Sequence, residues 1–310
     1  MLKEHSSATN QTYEIIQEVL TYTGGLLGAV SIVMNILVIW AYALSKPLKF
    51  PTYLLYINMA VAGIMIGLDG ILTLINFQNG SLKLSKGVCI MLGVVASGKR
   101  STLDMLTLLS IGRLVAIQLP FSYRTIFSHR KTLFYISVSW ILCSAKFYTP
   151  FFTGGGYKPT VSGWCNAVVN ITPAHYKIFE RTTVVAPLII SIATCVGCSL
   201  ATLAILLRRK QLAALTHNKP SDEALKILTL MLICFIACFS MWLFVETLGA
   251  FSEGGISTST FIDGKTPPNQ LTFLLYKLML TGIIVFGPVN AWLLLRGKMG
   301  PVVRSVNDFC

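Results

Sequence analysis

Seven predominantly apolar runs of about 20 or more residues punctuate the chain, with short polar or basic segments between them. Each is long enough to cross the hydrocarbon of a bilayer as a helix. The first spans about Thr23 to Leu44, contains Asn35, and ends in the short basic loop Ser45-Lys46-Pro47-Leu48-Lys49-Phe50-Pro51. The second runs from Thr52 to about Phe77 and contains Asn58 and Asp69. The third, Cys89 to Tyr123, is read as the central helix of a bundle, with Cys89 at its outer end and Arg113 at its inner end. Lys99, Arg100 and Asp104 lie inside it, at a depth where charge is costly unless paired or wetted. A loop from Ser122 to Lys131 leads to the fourth run, Thr132 to about Phe152, which contains Trp140 and is expected to stop at Pro150 and a triple glycine. The fifth covers about Thr182 to Leu207, contains Pro187 and ends on Arg208-Arg209-Lys210; from Gln211 a loop is expected. The sixth covers about Ala224 to Phe251, and the seventh about Leu271 to Leu295, interrupted by Gly287-Pro288.

Composition agrees with this pattern: 54% of residues are hydrophobic and 12% charged, against about 25% charged in soluble domains. The net charge of +13 raises nucleic acid as a partner, but its distribution argues against that. The basic residues sit between apolar runs, as the cytosolic face of a membrane protein requires. On one side of a seven-span chain stand 14 Lys and Arg, Arg113 among them, against Asp222, Glu223 and Asp308. All three glycosylation sequons, Asn10, Asn79 and Asn170, fall on the other side. Both signals place the N-terminus outside and the C-terminus inside. The expected fold is an all-α, seven-transmembrane helix bundle in the plasma membrane. Residues 1–22 form an extracellular N-terminal segment, 23–298 the bundle and 299–310 a short cytoplasmic tail. Residues 1–20 contain no continuous apolar stretch, so no cleavable signal peptide is expected and the first span acts as the export signal.

Of eight cysteines, only Cys89 and Cys165 lie next to outer loops, and this reading pairs them as a disulfide; the alternative is two free thiols near the surface. Cys195-x-x-Cys198 and Cys234-x3-Cys238 lie in apolar runs without His or acidic company, so they read as small buried hydrophobes rather than metal ligands. The four histidines, at 5, 129, 175 and 217, are scattered through loops. No phosphate loop or nucleophile elbow appears, and neither an enzyme, a cofactor nor a metal is expected.

The landmarks and their order resemble a rhodopsin-like G-protein-coupled receptor over about Thr23 to Lys298. They are Asn35, Tyr56-Ile57-Asn58-Met59-Ala60-Val61-Ala62, Cys89, the Ile111-to-Tyr123 segment, Trp140, Cys165, Pro187, Phe235-x3-Phe239 and Gly287-Pro288. Pro120 to Ser128 looks like the corresponding run of divergent invertebrate chemosensory receptors, those of nematodes especially. Departures bear on mechanism. Gly112-Arg113-Leu114 keeps only the arginine of the Asp-Arg-Tyr motif, and Gly63 stands where the family's span-two Asp would fall, so no sodium site is expected there. Phe239 and Met241 replace the span-six Trp and Pro, and the Asn-Pro-x-x-Tyr motif lacks both Asn and Tyr around Pro288.

The resemblance implies an extracellular ligand and a heterotrimeric G protein as partners, with Arg113 as the coupling residue and Phe239 and Pro288 as the activation switch. Arg113 read blandly is an anchor snorkelling to lipid headgroups. Lys99, Arg100, Asp104, Glu246 and Lys277 are the candidate ligand contacts; the alternative is a self-satisfied ion-pair network in which Arg100 and Asp104, four apart, pair on one helix face. Val95 occupies the position where an amine-binding acid would stand, which argues against simple biogenic amines, and Thr281 occupies the retinal-lysine site, one turn deeper than Lys277. The Met and Phe residues of span six read as packing. Cys310 is a weak palmitoylation candidate, and Gly300-Pro301 argues against a long amphipathic tail helix. Two other readings stand beside the receptor: a secondary transporter, for which no internal repeat is visible, and a receptor-like protein that no longer signals.

Overall fold

The computed structural model describes residues 2–44, 51–78, 86–152, 156–159, 165–168 and 181–215, together with Ile178, Phe239, Ile284 and Val289. Helix α1 runs from Leu2 to Leu44, 43 residues without a break. It begins far outside the apolar crossing stretch, which is Glu18–Ala43. No Pro or Gly interrupts residues 2–23, so once the apolar part is fixed the helix propagates outward through the polar segment at little cost. Helix α2 is Pro51–Gln78; its opening proline has the φ a first helical residue needs and lacks only an N–H that would go unpaired there.

Helices α1 and α2 touch backbone to backbone. A Cβ on Gly28 would lie 2.6 Å from the Gly67 carbonyl oxygen, and one on Gly70 would lie 2.7 Å from that of Gly24. In a bilayer, where lipid tails solvate Leu as well as a neighbouring helix does, such small-residue contacts supply the close packing that holds helices together.

Helix α3, Lys86–Gln118, is the central element and packs against α2, the fourth-span helix and the fifth-span helix. It is shorter than the rod to Tyr123 expected from the sequence. Leu119 leaves the helical region (φ −129°, ψ 63°) and Pro120 opens a separate short helix, α4, Pro120–Ile126. The physical reason is the pre-proline clash, which disfavours α geometry at Leu119. The predicted inner loop is therefore largely helical. Helix α5, His129–Phe152, continues two residues past Pro150.

The long outer loop contains a two-stranded antiparallel hairpin, β1 (Gly156–Pro159) and β2 (Cys165–Val168), with Pro159 opposite Cys165. The last of the three glycines thus opens a strand instead of extending a helix stop. The hairpin packs against α3 and α5. A π-helical turn, Arg181–Val185, leads into α6, Ala186–Leu215, which passes through Arg208-Arg209-Lys210 and ends beyond the expected loop start at Gln211. Among the described residues, three stretches are long and apolar enough to cross a membrane on composition alone: Glu18–Ala43, Tyr53–Ile75 and Ala186–Arg208.

The main core forms where these helices meet: Met59 and Ile66 of α2, Leu103 and Leu109 of α3, Ile136 of α5 and Leu188 of α6, together with Phe239 and Ile284. Large apolar side chains on the other faces, among them Trp40, Ile141, Leu142 and Ile190, are exposed, as a lipid-facing surface requires.

Candidate functional site

Lys99 and Arg100 are neighbours in α3, so they point about 100° apart around the helix, and the structure sends them to different partners. The Lys99 ammonium lies 2.7 Å from the Asp69 carboxylate of α2, and both side chains are nearly buried, 9% and 11% exposed. Arg100 turns the other way and pairs with Asp104 at 3.1 Å, the four-residue spacing anticipated from the sequence. It also donates to the Ser191 hydroxyl of α6 at 2.9 Å. Asp104 in turn accepts from Ser139 of α5 at 3.1 Å and from Ser191 at 3.3 Å, with the Cys143 thiol at 3.5 Å. Thr107 adds a bond to the Ser191 carbonyl at 3.1 Å.

The charges of α3 therefore make two centres, not one. Lys99–Asp69 joins α3 to α2, whereas Arg100–Asp104 joins α3 to α5 and α6. Glu246 and Lys277, the other candidate ligand contacts, lie outside the described residues, as does Pro288. Phe239 is buried in the main core. Cys89 sits in the first turn of α3 and Cys165 opens β2, while the side chains of both lie outside the described residues. Asn10 lies within α1; Asn79 and Asn170 are outside the described residues.

The inner half of α3 has its own constellation. Ser110 meets Ser199 at 3.1 Å and Cys195 at 3.4 Å, both on α6. One turn further in, Arg113 donates to the Tyr56 hydroxyl of α2 at 3.1 Å. Tyr56 stacks on Tyr42 of α1, centroids 5.7 Å apart and planes at 24°, and Val289 packs against the same cluster. Beside Arg113, the space next to Gly112 is taken by the Phe127 ring, which a Cβ on Gly112 would meet at 3.4 Å. Phe127 itself is buried and stacks on Tyr123.

The polar centre between α1 and α2 explains another departure. Asn35 donates to the Ser31 carbonyl at 2.8 Å, and the Ser31 hydroxyl donates to the Gly63 carbonyl at 3.1 Å. A Cβ on Gly63 would lie 2.5 Å from the Asn35 amide nitrogen. The space a side chain at 63 would need is filled by Asn35.

Tyr56 and Phe127 stand in the sequence only as members of longer landmark runs, and Ser139 and Ser191 belong to none. The signal for Tyr56 was present in the three tyrosines 42, 53 and 56 flanking the first inner loop. The hydroxyls of α5 and α6 gave none, because their roles depend on how helices far apart in the chain are rotated.

Comparison with known proteins places this geometry. The seven-transmembrane receptor (rhodopsin family) model matches residues 34–282. The adenosine receptor A2b of Gallus gallus is 28% identical over 152 residues, which are 49% of this chain and 43% of that receptor. The chain thus spans less than half the length of that curated relative. The family match covers α3 with Arg113, both charge centres and Phe239. This chain belongs to the rhodopsin family of seven-transmembrane receptors, multi-pass helix bundles of the plasma membrane.

Proposed function

We propose that the chain is a signalling receptor: an extracellular ligand shifts the bundle between two arrangements and exposes an inner cleft to a heterotrimeric G protein. The observation that carries this reading is Arg113, partly buried at the inner end of the central helix and bonded to α2 through Tyr56. A lipid-snorkelling anchor would point its guanidinium outward. The surrounding inner surface fits an acidic partner with an apolar anchor point, since Arg124, Arg130 and Lys131 are exposed and Phe121 is 98% exposed.

On the outer side, the Lys99–Asp69 pair supplies a cation and an anion close to the bundle interior, and Glu246 and Lys277 are further candidate contacts. This favours a small polar ligand or peptide carrying charge or several hydrogen-bonding groups, including a chemosensory cue. The disulfide between Cys89 and Cys165 belongs to the same proposal, supported by the packing of the β1–β2 hairpin against α3. So do glycans at Asn10, Asn79 and Asn170.

The test is a screen of charged and polar small molecules, adenosine among them, with nucleotide exchange read out on several G-protein classes. At least one compound is expected to accelerate exchange in the wild type, and Arg113→Ala is expected to abolish that response while leaving surface expression largely intact. An unchanged response in Arg113→Ala rejects the coupling role. Compound-dependent current or uptake without exchange favours a transporter, and silence in every assay favours a receptor-like protein that does not signal.

A further inference from the structure

We infer that Tyr56 is a positioning residue that holds Arg113 in the resting arrangement, through a hydrogen bond from the guanidinium to its hydroxyl. The inference rests on the receptor reading for its signalling consequence, but its geometry stands on its own.

Residue 112, next to the arginine, is glycine and offers no carboxylate, and the Phe127 ring occupies the space beside it, 3.4 Å from where a Cβ would sit. Phe127 cannot retreat easily, because it is 4% exposed and stacked on Tyr123 at 5.6 Å and 21°. The guanidinium reaches across to α2, where the Tyr56 hydroxyl accepts at 3.1 Å. That hydroxyl is held in place by its ring. Tyr56 stacks on Tyr42, which is itself 5% exposed and packed on Tyr53 with centroids 5.3 Å apart. Three tyrosines from α1 and α2 thus form a rigid shelf whose hydroxyl edge meets Arg113.

A hydroxyl accepting from a guanidinium fixes the direction in which the guanidinium points but neutralises no charge. Val289, from the seventh span, packs against the buried cluster of Val38, Tyr42 and Ala60 on which Tyr53 and Tyr56 also pack. A movement of that span would therefore disturb the stack that aims the hydroxyl, without touching Arg113 directly.

The experiment uses the full chain in lipid nanodiscs as wild type, Tyr56→Phe, Arg113→Ala and the double variant. Tyr56→Phe keeps the stacked ring and removes only the acceptor. Two readouts are taken: the thermal unfolding midpoint of all four proteins as a double-mutant cycle, and basal nucleotide exchange on a panel of purified heterotrimeric G proteins. Tyr56→Phe is expected to raise basal exchange by about tenfold, the effect of losing one hydrogen bond to a charged group, and Arg113→Ala to abolish exchange in either background. The midpoint shifts are expected to be non-additive. Additive shifts overturn the inference, and so does basal exchange that Tyr56→Phe leaves unchanged in a chain that otherwise catalyses it. If no variant catalyses exchange, the receptor reading fails, and the cycle alone decides whether Tyr56 positions Arg113.

Discussion

Asp69 and Lys99 meet at 2.7 Å with side chains 11% and 9% exposed, so neither charge has water to fall back on. Removing one partner breaks a buried ion pair, which costs about 3–5 kcal/mol. Asp69→Asn is therefore expected to lower stability by about 3 kcal/mol, and Asp69→Asn combined with Lys99→Met to recover part of the loss, both measured by thermal unfolding. Equal destabilisation in the single and double variants would contradict the pairing. At this scale the sequence was half legible. Arg100 and Asp104 were readable as a pair because one helix carries both at a four-residue spacing. The partner of Lys99 was not, since it depends on how α2 is rotated against α3. That rotation is set by a close approach invisible to pattern reading: a Cβ on Gly98 would lie 2.9 Å from the Ala62 carbonyl oxygen. Arg113 was legible from its motif, but its acceptor Tyr56 stands 57 residues away in the chain.

Among the described helices, up to Leu215, apolar length predicted existence and order well, and the ends less well. The hydrocarbon limits apolar runs, but a helix has no reason to stop at the membrane surface. Helices α1 and α6 both continue into polar segments, beginning at Leu2 and ending at Leu215. Proline gave mixed guidance. Pro120 does break α3 from α4 at Leu119, where the pre-proline clash disfavours α geometry. Pro187 sits near the start of α6, just after a π-helical turn, where the missing N–H costs little. The α1–α2 pairing makes a sharper claim about elements. Gly67→Val would drive a side chain into the Gly28 carbonyl oxygen, 2.5 Å from where its Cβ would sit. The helices must separate, at a cost of about 2 kcal/mol. Among the described residues, nothing lies within 4 Å of a Cβ on Gly197 of α6. Gly197→Ala is accordingly expected to be neutral or stabilising by about 0.5–1 kcal/mol through helix propensity. Unfolding midpoints of the two variants check this, and equal losses would contradict close helix packing as the cause.

For the molecule as a whole, charge and sequons carry more information than any single motif. The excess of basic residues on one side orients the bundle, and Asn10, Asn79 and Asn170 agree with it independently. In this orientation the two charge centres lie in the outer and middle part of α3 and Arg113 near its inner end, so one element carries all three. Its neighbours α2, α5 and α6 are tied to it by specific polar bonds as well as by apolar contact. The most direct test of this arrangement is topology mapping of the intact chain in cell membranes, combining glycan occupancy at Asn10 and Asn170 with protease protection of tags in each loop. The account predicts both asparagines on the outer face, seven crossings, and the loop after Arg113 cleavable only from the cytosolic side. Asn10 and Asn170 on opposite faces, or an even number of crossings, would contradict it.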